Sequence, residues 1–149
     1  MIELKRTTSE NPDFTSLNKI LDKELVIRDG DEHEFFAQFN KIDSINHVVL
    51  AYNNGEAVGC GAIKKFDEET VEIKRMFVMS AGRGKKVATT ILSELETWAR
   101  ELGFKKCILE TGATFKDALG LYTKAGYEVS PNYGQYIGVK SSACFHKSL

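Results

Sequence analysis

The sequence carries almost no net charge, because its 149 residues include 20 lysines and arginines against 21 aspartates and glutamates. A chain without an excess of either sign has no overall electric field that would draw it onto nucleic acid or an anionic membrane surface. We therefore predict no nucleic-acid partner and no membrane partner. An anionic ligand would have to be recognised by a local group of cationic side chains and backbone N–H groups.

Long apolar runs are also missing from the sequence. The longest stretches, such as residues 47–51, fall far short of the roughly 20 residues that a membrane span needs. Residues 1–6 do not contain the apolar segment of a signal peptide. These two absences favour a cytoplasmic location.

Cysteine and histidine are scarce and show no ligand spacing. The cysteines form no CxxC pair and lie in apolar, strand-like segments, which favours buried thiols over disulfides or metal ligands. The histidines lie in three separate predicted elements, so we predict no metal site. The residues concerned are Cys60, Cys107 and Cys144, and His33, His47 and His146.

The remaining composition is sufficient for one folded core. Apolar residues make up 42% of the chain and include nine phenylalanines and five tyrosines. A single core is typical of this length, so residues 1–149 are predicted to form one domain.

The first third of the sequence predicts one strand and two helices. Apolar and charged residues alternate over residues 1–6, as they do in a strand. Asn11 and Pro12 suit the N-cap and the first position of a helix, which Gly30 ends. Residues 31–40 predict a second, shorter helix with acidic residues in its first turn.

The middle of the sequence predicts a meander of strands followed by a long helix. Asn54 and Gly55 lie between two apolar runs, and this pair is a strong signal for a β-hairpin with a type I′ turn. Residues 71–78 predict the third strand of the meander, and a glycine-containing turn at residues 81–84 opens a helix that Gly103 ends. The apolar stripe predicted for this helix comprises Val87, Ile91, Leu95, Trp98 and Leu102.

The last third predicts a strand, a helix and two further strands. The strand lies at residues 107–110, and the final strands lie within residues 127–149. The helix between them ends at Gly126 and carries apolar side chains at helical spacing on one face, namely Ala118, Leu121, Tyr122 and Ala125.

The turn before the long helix is typical of a phosphate-binding site. The N–H groups of a helix's first turn have no intrahelical partners, and the helix dipole adds a partial positive charge beside them. Arg83, Lys85 and Lys86 add three cationic side chains, which suit a ligand with several phosphate charges. The same pattern also fits a plain solvated helix cap, and both interpretations stay open.

The segment from Arg83 to Ala88 resembles the Q/R-x-x-G-x-G/A pyrophosphate loop of the GNAT superfamily of N-acetyltransferases. The resemblance covers nearly the whole chain, since residues 71–78 resemble the family's fourth strand and residues 118–127, with the pattern A-x-x-L-Y-x-x-x-G-Y, resemble its later helix and next strand. Lys86 departs from the loop pattern by standing where the family has its middle glycine. A lysine offers the same N–H group if its φ is helical.

The resemblance implies an α/β (α+β) fold with a mixed, mostly antiparallel central sheet of about six to seven strands flanked by about four helices. It also implies acetyl-CoA as the acetyl donor and no metal. In this family the backbone of the fourth strand holds the pantetheine arm, which implies roles for Phe77 and Val78. The pyrophosphate would be bound by the loop residues Arg83, Gly84, Lys85, Lys86, Val87 and Ala88.

Two candidate catalytic residues come from the same resemblance. Tyr122 matches a tyrosine that commonly lies beside the CoA sulfur as general acid, and its phenol is protonated at neutral pH. Glu72 interrupts an apolar strand and resembles the glutamate that some histone acetyltransferases of the family use as general base. The alternatives are a core tyrosine and a strand glutamate paired with Lys64 or Lys74.

The acceptor site is less well defined by the sequence. In the family the region of the first two helices helps form this site, which makes several aromatic residues candidate substrate contacts, namely Phe35, Phe36, Phe39, Tyr133 and Tyr136.

The predicted activity is transfer of an acetyl group to a primary amine of a small molecule or peptide, directly within a ternary complex. Two alternatives are an acetyl-CoA-binding sensor or regulator without turnover and a nucleotide-binding module without acyl chemistry. The oligomeric state stays open, with a homodimer as the commonest assembly.

Overall fold

A computed structural model describes residues 1–42, 44–83 and 86–149 of the chain. These residues form seven strands and four helices. The strands are β1 Ile2–Thr7, β2 His47–Asn53, β3 Glu56–Lys65, β4 Thr70–Val78, β5 Lys106–Gly112, β6 Glu128–Ser130 and β7 Ser142–Ser148. The helices are α1 Pro12–Asp29, α2 His33–Ala37, α3 Val87–Glu101 and α4 Lys116–Lys124.

All of these strands belong to one sheet, in the order β1-β2-β3-β4-β5-β7-β6. Every neighbouring pair is antiparallel except β4 and β5, which run parallel. This arrangement confirms the predicted mixed, mostly antiparallel sheet. The parallel pair is short, because only Thr70, Val71 and Glu72 are aligned with residues 106–108 of β5. Beyond these residues the two strands are no longer paired, and a gap opens in the middle of the sheet.

Helices cover both faces of the sheet. Helices α3 and α4 bury their apolar stripes on one face, in a core that includes Ile91, Leu95 and Tyr122. Helix α1 covers the other face with Phe14 and Leu17. The gap between β4 and β5 is therefore enclosed by helices on both sides.

Local signals in the sequence account for where several elements begin and end. Asn11 accepts a hydrogen bond from the Asp13 backbone N–H at 2.9 Å and caps α1, as predicted. Asn54 and Gly55 have φ values of 53° and 83°, which confirms the predicted type I′ turn. Gly103, with a φ of 93°, follows the end of α3 in the left-handed conformation that favours glycine.

Two predictions about helices need correction. The second helix is shorter than residues 31–40, because a 3-10 turn at Gly30–Glu32 precedes α2. Leu102 is not part of the buried stripe of α3, because the helix ends one residue earlier and leaves this side chain 45% exposed. Leu92 and Ala99 are buried on α3 instead.

The three cysteines are free and buried, as predicted, and each lies on a strand of the core. Burial raises the pKa of the Cys60 thiol to about 12 and that of the Cys107 thiol to about 11. These thiols are therefore protonated at neutral pH and are not activated nucleophiles.

The contact between β3 and α3 depends on a glycine. A Cβ atom at Gly61 would lie 2.5 Å from the sulfur of Met76 and 2.9 Å from methyl carbons of Ile91 and Leu95. We expect Gly61→Ala to lower the free energy of unfolding by about 1–3 kcal/mol through overpacking. Chemical denaturation would measure this loss.

Gly120 offers a matched control for this substitution. It lies within α4, and a Cβ atom there would meet no heavy atom within 4 Å. Gly120→Ala should leave stability unchanged or raise it by about 0.5–1 kcal/mol, because alanine favours the helix. An equally stable Gly61→Ala variant would contradict the proposed packing.

Candidate active site

A cavity of about 630 Å³ occupies the gap between β4 and β5. Its walls come from α1 and α2 on one face of the sheet and from α4 on the other, together with β4 and the end of β5. Residues 73–78 of β4 all line the cavity. Because β4 is no longer paired with β5 over these residues, backbone groups on this side of the strand are free to bind a ligand.

Tyr122 lies in the cavity wall, on the inner face of α4. Its side chain is buried against the rings of Tyr127 and Phe145, whose centroids lie 5.8 and 6.3 Å away. Burial raises the pKa of Tyr122 well above its usual value, and the carboxylates of Asp117 and Glu110 raise it further. The phenol is therefore protonated throughout the physiological range and can donate a hydrogen bond into the cavity.

Glu110 is a second titratable residue of the cavity wall, and it was not predicted from the sequence. It lies on β5, two residues beyond Ile108, the last residue paired with β4. Its carboxylate accepts a hydrogen bond from the Ser142 hydroxyl at 2.7 Å. Burial raises the pKa of Glu110, and this effect exceeds the opposing effect of the serine hydrogen bond. A buried carboxylate with a raised pKa is suited to accept a proton from an amine.

The signal that could have identified Glu110 is similar to the one that singled out Glu72. Glu72 is a carboxylate within an apolar strand, and Glu110 is a carboxylate directly after an apolar strand segment. Glu72, however, is still paired with Ile108 at the closed end of the gap, and it is not among the described residues that line the cavity.

Glu72 takes part in a polar network behind this wall. Its carboxylate accepts a hydrogen bond from the Tyr133 hydroxyl at 2.6 Å and lies 3.9 Å from the Lys74 ammonium. On the neighbouring strand β3, Lys64 is aligned with it. A catalytic role for Glu72 stays a prediction, as does the alternative of a paired strand residue.

Seven of the eight predicted cofactor-binding residues, all except Lys86, fall into three groups. Phe77, Val78, Arg83 and Ala88 line the cavity. Val87 is 2% exposed and packs into the core, so only its backbone is available to a ligand. Gly84 and Lys85 lie outside the described residues.

Two cationic residues, Arg83 and Lys86, lie where the chain leads from β4 into α3. The Arg83 guanidinium donates to the Val78 carbonyl oxygen at 3.0 Å and lies 3.2 Å from a carboxylate oxygen of Glu24. Lys86 is exposed and caps α3 with a φ of 60°. The φ of Lys86 is therefore left-handed rather than right-handed helical, and this is the region that favours the glycine of the family pattern.

The opposite end of the cavity is lined by α1 and α2. Phe36 lines the cavity and stacks on Tyr136, with ring centroids 6.4 Å apart. The other predicted aromatic contacts, Phe35, Phe39 and Tyr133, pack around this pair rather than line the cavity. Of the five aromatic residues predicted to contact the substrate, Phe36 is therefore the best placed.

An ion pair crosses the cavity from α1 to α4. The Arg28 guanidinium lies 2.8 Å from the Asp117 carboxylate and 3.9 Å from the centre of the Phe115 ring. All three side chains line the cavity. The pair holds together the two helices that lie on opposite faces of the split sheet.

Within residues 1–42, 44–83 and 86–149, no three carboxylate, histidine or cysteine side chains are placed to hold a metal ion. None of the helices in this part of the chain is long and apolar enough to cross a membrane.

These features define a class of protein. Two parallel strands that separate around a cavity, a helix N-terminus at one end and a buried tyrosine and glutamate in the wall are suited to group transfer between two bound substrates. The sequence model of the acetyltransferase (GNAT) family matches residues 13–127. The chain belongs to this family, which confirms the resemblance found in the sequence.

Similar proteins agree with this assignment. An aminoalkylphosphonate N-acetyltransferase of Salmonella typhimurium is 31% identical over 138 residues, which cover 86% of each chain. An acyl-CoA N-acyltransferase structure from Klebsiella pneumoniae has a TM-score of 0.84 at 25% identity and covers 100% of this chain and 98% of its own. A GNAT family acetyltransferase from Elizabethkingia anophelis, with acetyl-CoA bound, has a TM-score of 0.69 at 20% identity, covers 99% of this chain and 98% of its own, and shows the shared fold.

The matched region spans only part of some curated relatives. In the first three it covers 65%, 58% and 49% of the relative's own length.

Proposed function

We propose that this chain transfers an acetyl group from acetyl-CoA to a primary amine of a small molecule or peptide. Transfer takes place directly between the two bound substrates, within one domain formed by residues 1–149. The observation that carries this proposal is the cavity between β4 and β5, which brings Tyr122 and Glu110 together from the two sides of the split sheet. Membership of the acetyltransferase family and the acetyl-CoA complex of a structural neighbour support the choice of donor.

The donor half of the cavity fits a pantetheine arm and a diphosphate. The pantetheine amides would pair with the unpaired backbone of β4 at Phe77 and Val78, as an added strand would. The diphosphate would lie at the N-terminus of α3, where backbone N–H groups and the helix dipole favour anions. Arg83 would exchange its contact with Glu24 for a phosphate oxygen.

The chain's own residues can supply the proton transfers of the reaction. Glu110 would accept the proton of the attacking amine, because its raised pKa makes it a better base than an ordinary glutamate. Tyr122 would donate a hydrogen bond to the departing sulfur, which stabilises the charge that develops there. The role of Tyr122 as general acid is part of this proposal. Glu72, the base predicted from the sequence, is the alternative to Glu110.

The test is release of free thiol when purified protein is supplied with acetyl-CoA and a wide panel of amines. Isothermal calorimetry with acetyl-CoA alone measures binding separately. Thiol release with at least one amine supports the proposal. Binding without release for any amine would favour the sensor, and equal competition by ATP or NAD would favour a nucleotide-binding module. Light scattering would test whether the protein is a homodimer.

A further inference from the structure

The cavity wall contains an ammonium group without a hydrogen bond. The Lys74 side chain is only 9% exposed and lines the cavity. The nearest carboxylate oxygen, on Glu72, lies 3.9 Å from Nζ, which is beyond hydrogen-bond distance. None of the residues that the structure describes accepts a hydrogen bond from Nζ. The Lys74 side chain is largely buried, but Nζ is not among the fully buried atoms of the described residues. A charged donor that is reachable from the cavity and has no acceptor favours a ligand that supplies oxygen atoms.

A second donor without a partner lies on the next residue. Arg75 donates to Asn18 and Asp22 of α1 through Nε and Nη2, but its Nη1 is buried and has no partner within the described part of the chain. Arg75 also lines the cavity. Two neighbouring cationic side chains of β4, Lys74 and Arg75, therefore each have an N–H donor without an acceptor among the described residues.

A β-bulge explains why these neighbours lie on the same face of the strand. Arg75 has a φ of 57°, and the pairing of β3 with β4 shifts register in this region. Ile73 and Met76 both pack into the core beneath α3 although they lie three positions apart, an odd number that regular alternation would place on opposite faces. The two residues between them, Lys74 and Arg75, are consequently both placed towards α1.

Glu110 faces Lys74 across the gap, and two further carboxylates line the same cavity. Lys74 and Glu110 each lie two residues beyond the last aligned pair of β4 and β5, Glu72 with Ile108, so they occupy equivalent positions on the same face of the two strands. Glu32 and Asp29 line the cavity on the α1 and α2 side. These three carboxylates contact Ser142, Ser141 and His33, respectively, and not a lysine or arginine among the described residues.

We propose that the acceptor is a small amine that also bears a carboxylate or phosphonate, and that Lys74 binds this acidic group. The inference rests on the proposed acetyl transfer and assigns its substrate class. The amine of the acceptor lies at Glu110 and its acidic group at Lys74. Lys74 and Glu110 occupy equivalent positions on the two strands that flank the gap, so small acceptors with one or two carbons between amine and acid are the ones to test.

The test compares acceptors that differ only in the acidic group. Ethylamine is the parent compound, alanine and 3-aminopropionate add a carboxylate, alaninamide and 3-aminopropanamide replace the acid by a neutral amide, and 2-aminoethylphosphonate carries a phosphonate. We expect at least one of the three acids to exceed its neutral counterparts in kcat/KM by about 10- to 100-fold, the range for a hydrogen bond to a charged group. Equal or better use of the neutral amines would overturn the proposal.

Lys74→Met tests the assigned residue, because methionine keeps much of the length and removes the charge. This variant should lower kcat/KM for the acid by about 10- to 100-fold, chiefly through KM, so that the ratio of acid to amide falls towards 1. Lys74→Arg should restore part of the preference. Lys64→Met is the matched control, since Lys64 is exposed on β3 and does not line the cavity, and it should keep the full preference.

Two further measurements distinguish failure of the proposed substrate class from failure of the proposed acetyl transfer. Calorimetry with acetyl-CoA checks that Lys74→Met is folded and keeps its donor site. If Lys74→Met lowers kcat/KM for acids and amides equally, Lys74 does not bind the acidic group and the proposal is wrong. If no amine releases thiol from the wild-type protein, the proposed acetyl transfer itself fails, whereas turnover of neutral amines alone refutes only the substrate class.

Discussion

Replacing Tyr122 with phenylalanine should lower kcat by about 100-fold or more and leave the affinity for acetyl-CoA nearly unchanged. The substitution removes one hydroxyl from the cavity wall and keeps the ring that packs against Tyr127 and Phe145. A hydrogen bond to the departing sulfur matters only as charge develops there, so its loss appears in kcat and not in donor binding. Steady-state thiol release measures the first quantity and calorimetry the second.

Tyr127→Phe is the matched control for this experiment. Tyr127 is also a buried tyrosine, but its hydroxyl donates to Glu96 at 2.9 Å and its side chain does not line the cavity. This variant should lose stability, by about 1–3 kcal/mol for a buried hydrogen bond whose acceptor is left behind, and keep its turnover. Undiminished turnover in Tyr122→Phe would remove Tyr122 from the chemistry, and an equal loss in both variants would indicate a packing effect.

The sequence predicted Tyr122 as a site residue and did not predict Glu110, and the difference has a physical cause. Tyr122 is a candidate because the pattern A-x-x-L-Y resembles a motif of the family, and that pattern is contained in a short stretch of sequence. The role proposed for Glu110 depends on where β4 and β5, which are distant in sequence, stop pairing. Glu72 and Glu110 are similar in local pattern, and the end of the pairing at Glu72 and Ile108 distinguishes them.

The bulge in β4 was likewise not predictable. A positive φ is rare for arginine. Arg75 has one, and its side chain donates hydrogen bonds to Asn18 and Asp22, which lie more than fifty positions earlier in the chain. Turns and caps are different because their signals are local. The asparagine and glycine of the hairpin, for example, have side chains that suit the backbone conformation they adopt. The fold was therefore largely predictable, whereas the polar half of the cavity depends on tertiary contacts.

Replacing Glu110 with glutamine should lower kcat/KM by about 100-fold at neutral pH and change its pH dependence. Only the deprotonated carboxylate can accept a proton, so activity falls as the pH drops through the pKa of Glu110. Because burial raises this pKa, the fall should begin at higher pH than for an ordinary glutamate. In Glu110→Gln this limb of the profile disappears, and only the titration of the acceptor amine remains.

Glu72→Gln separates the two candidate bases in the same measurement. Glu72 lies at the closed end of the gap and accepts a hydrogen bond from Tyr133, so its substitution should disturb that network and retain the acid limb. If Glu72→Gln abolishes the limb and Glu110→Gln keeps it, the base is Glu72 and the role proposed for Glu110 is wrong. Persistence of the limb in both variants would assign it to a group other than either glutamate. Loss of the limb in Glu110→Gln alone would place proton acceptance on β5, across the gap from the strand proposed to hold the acetyl donor.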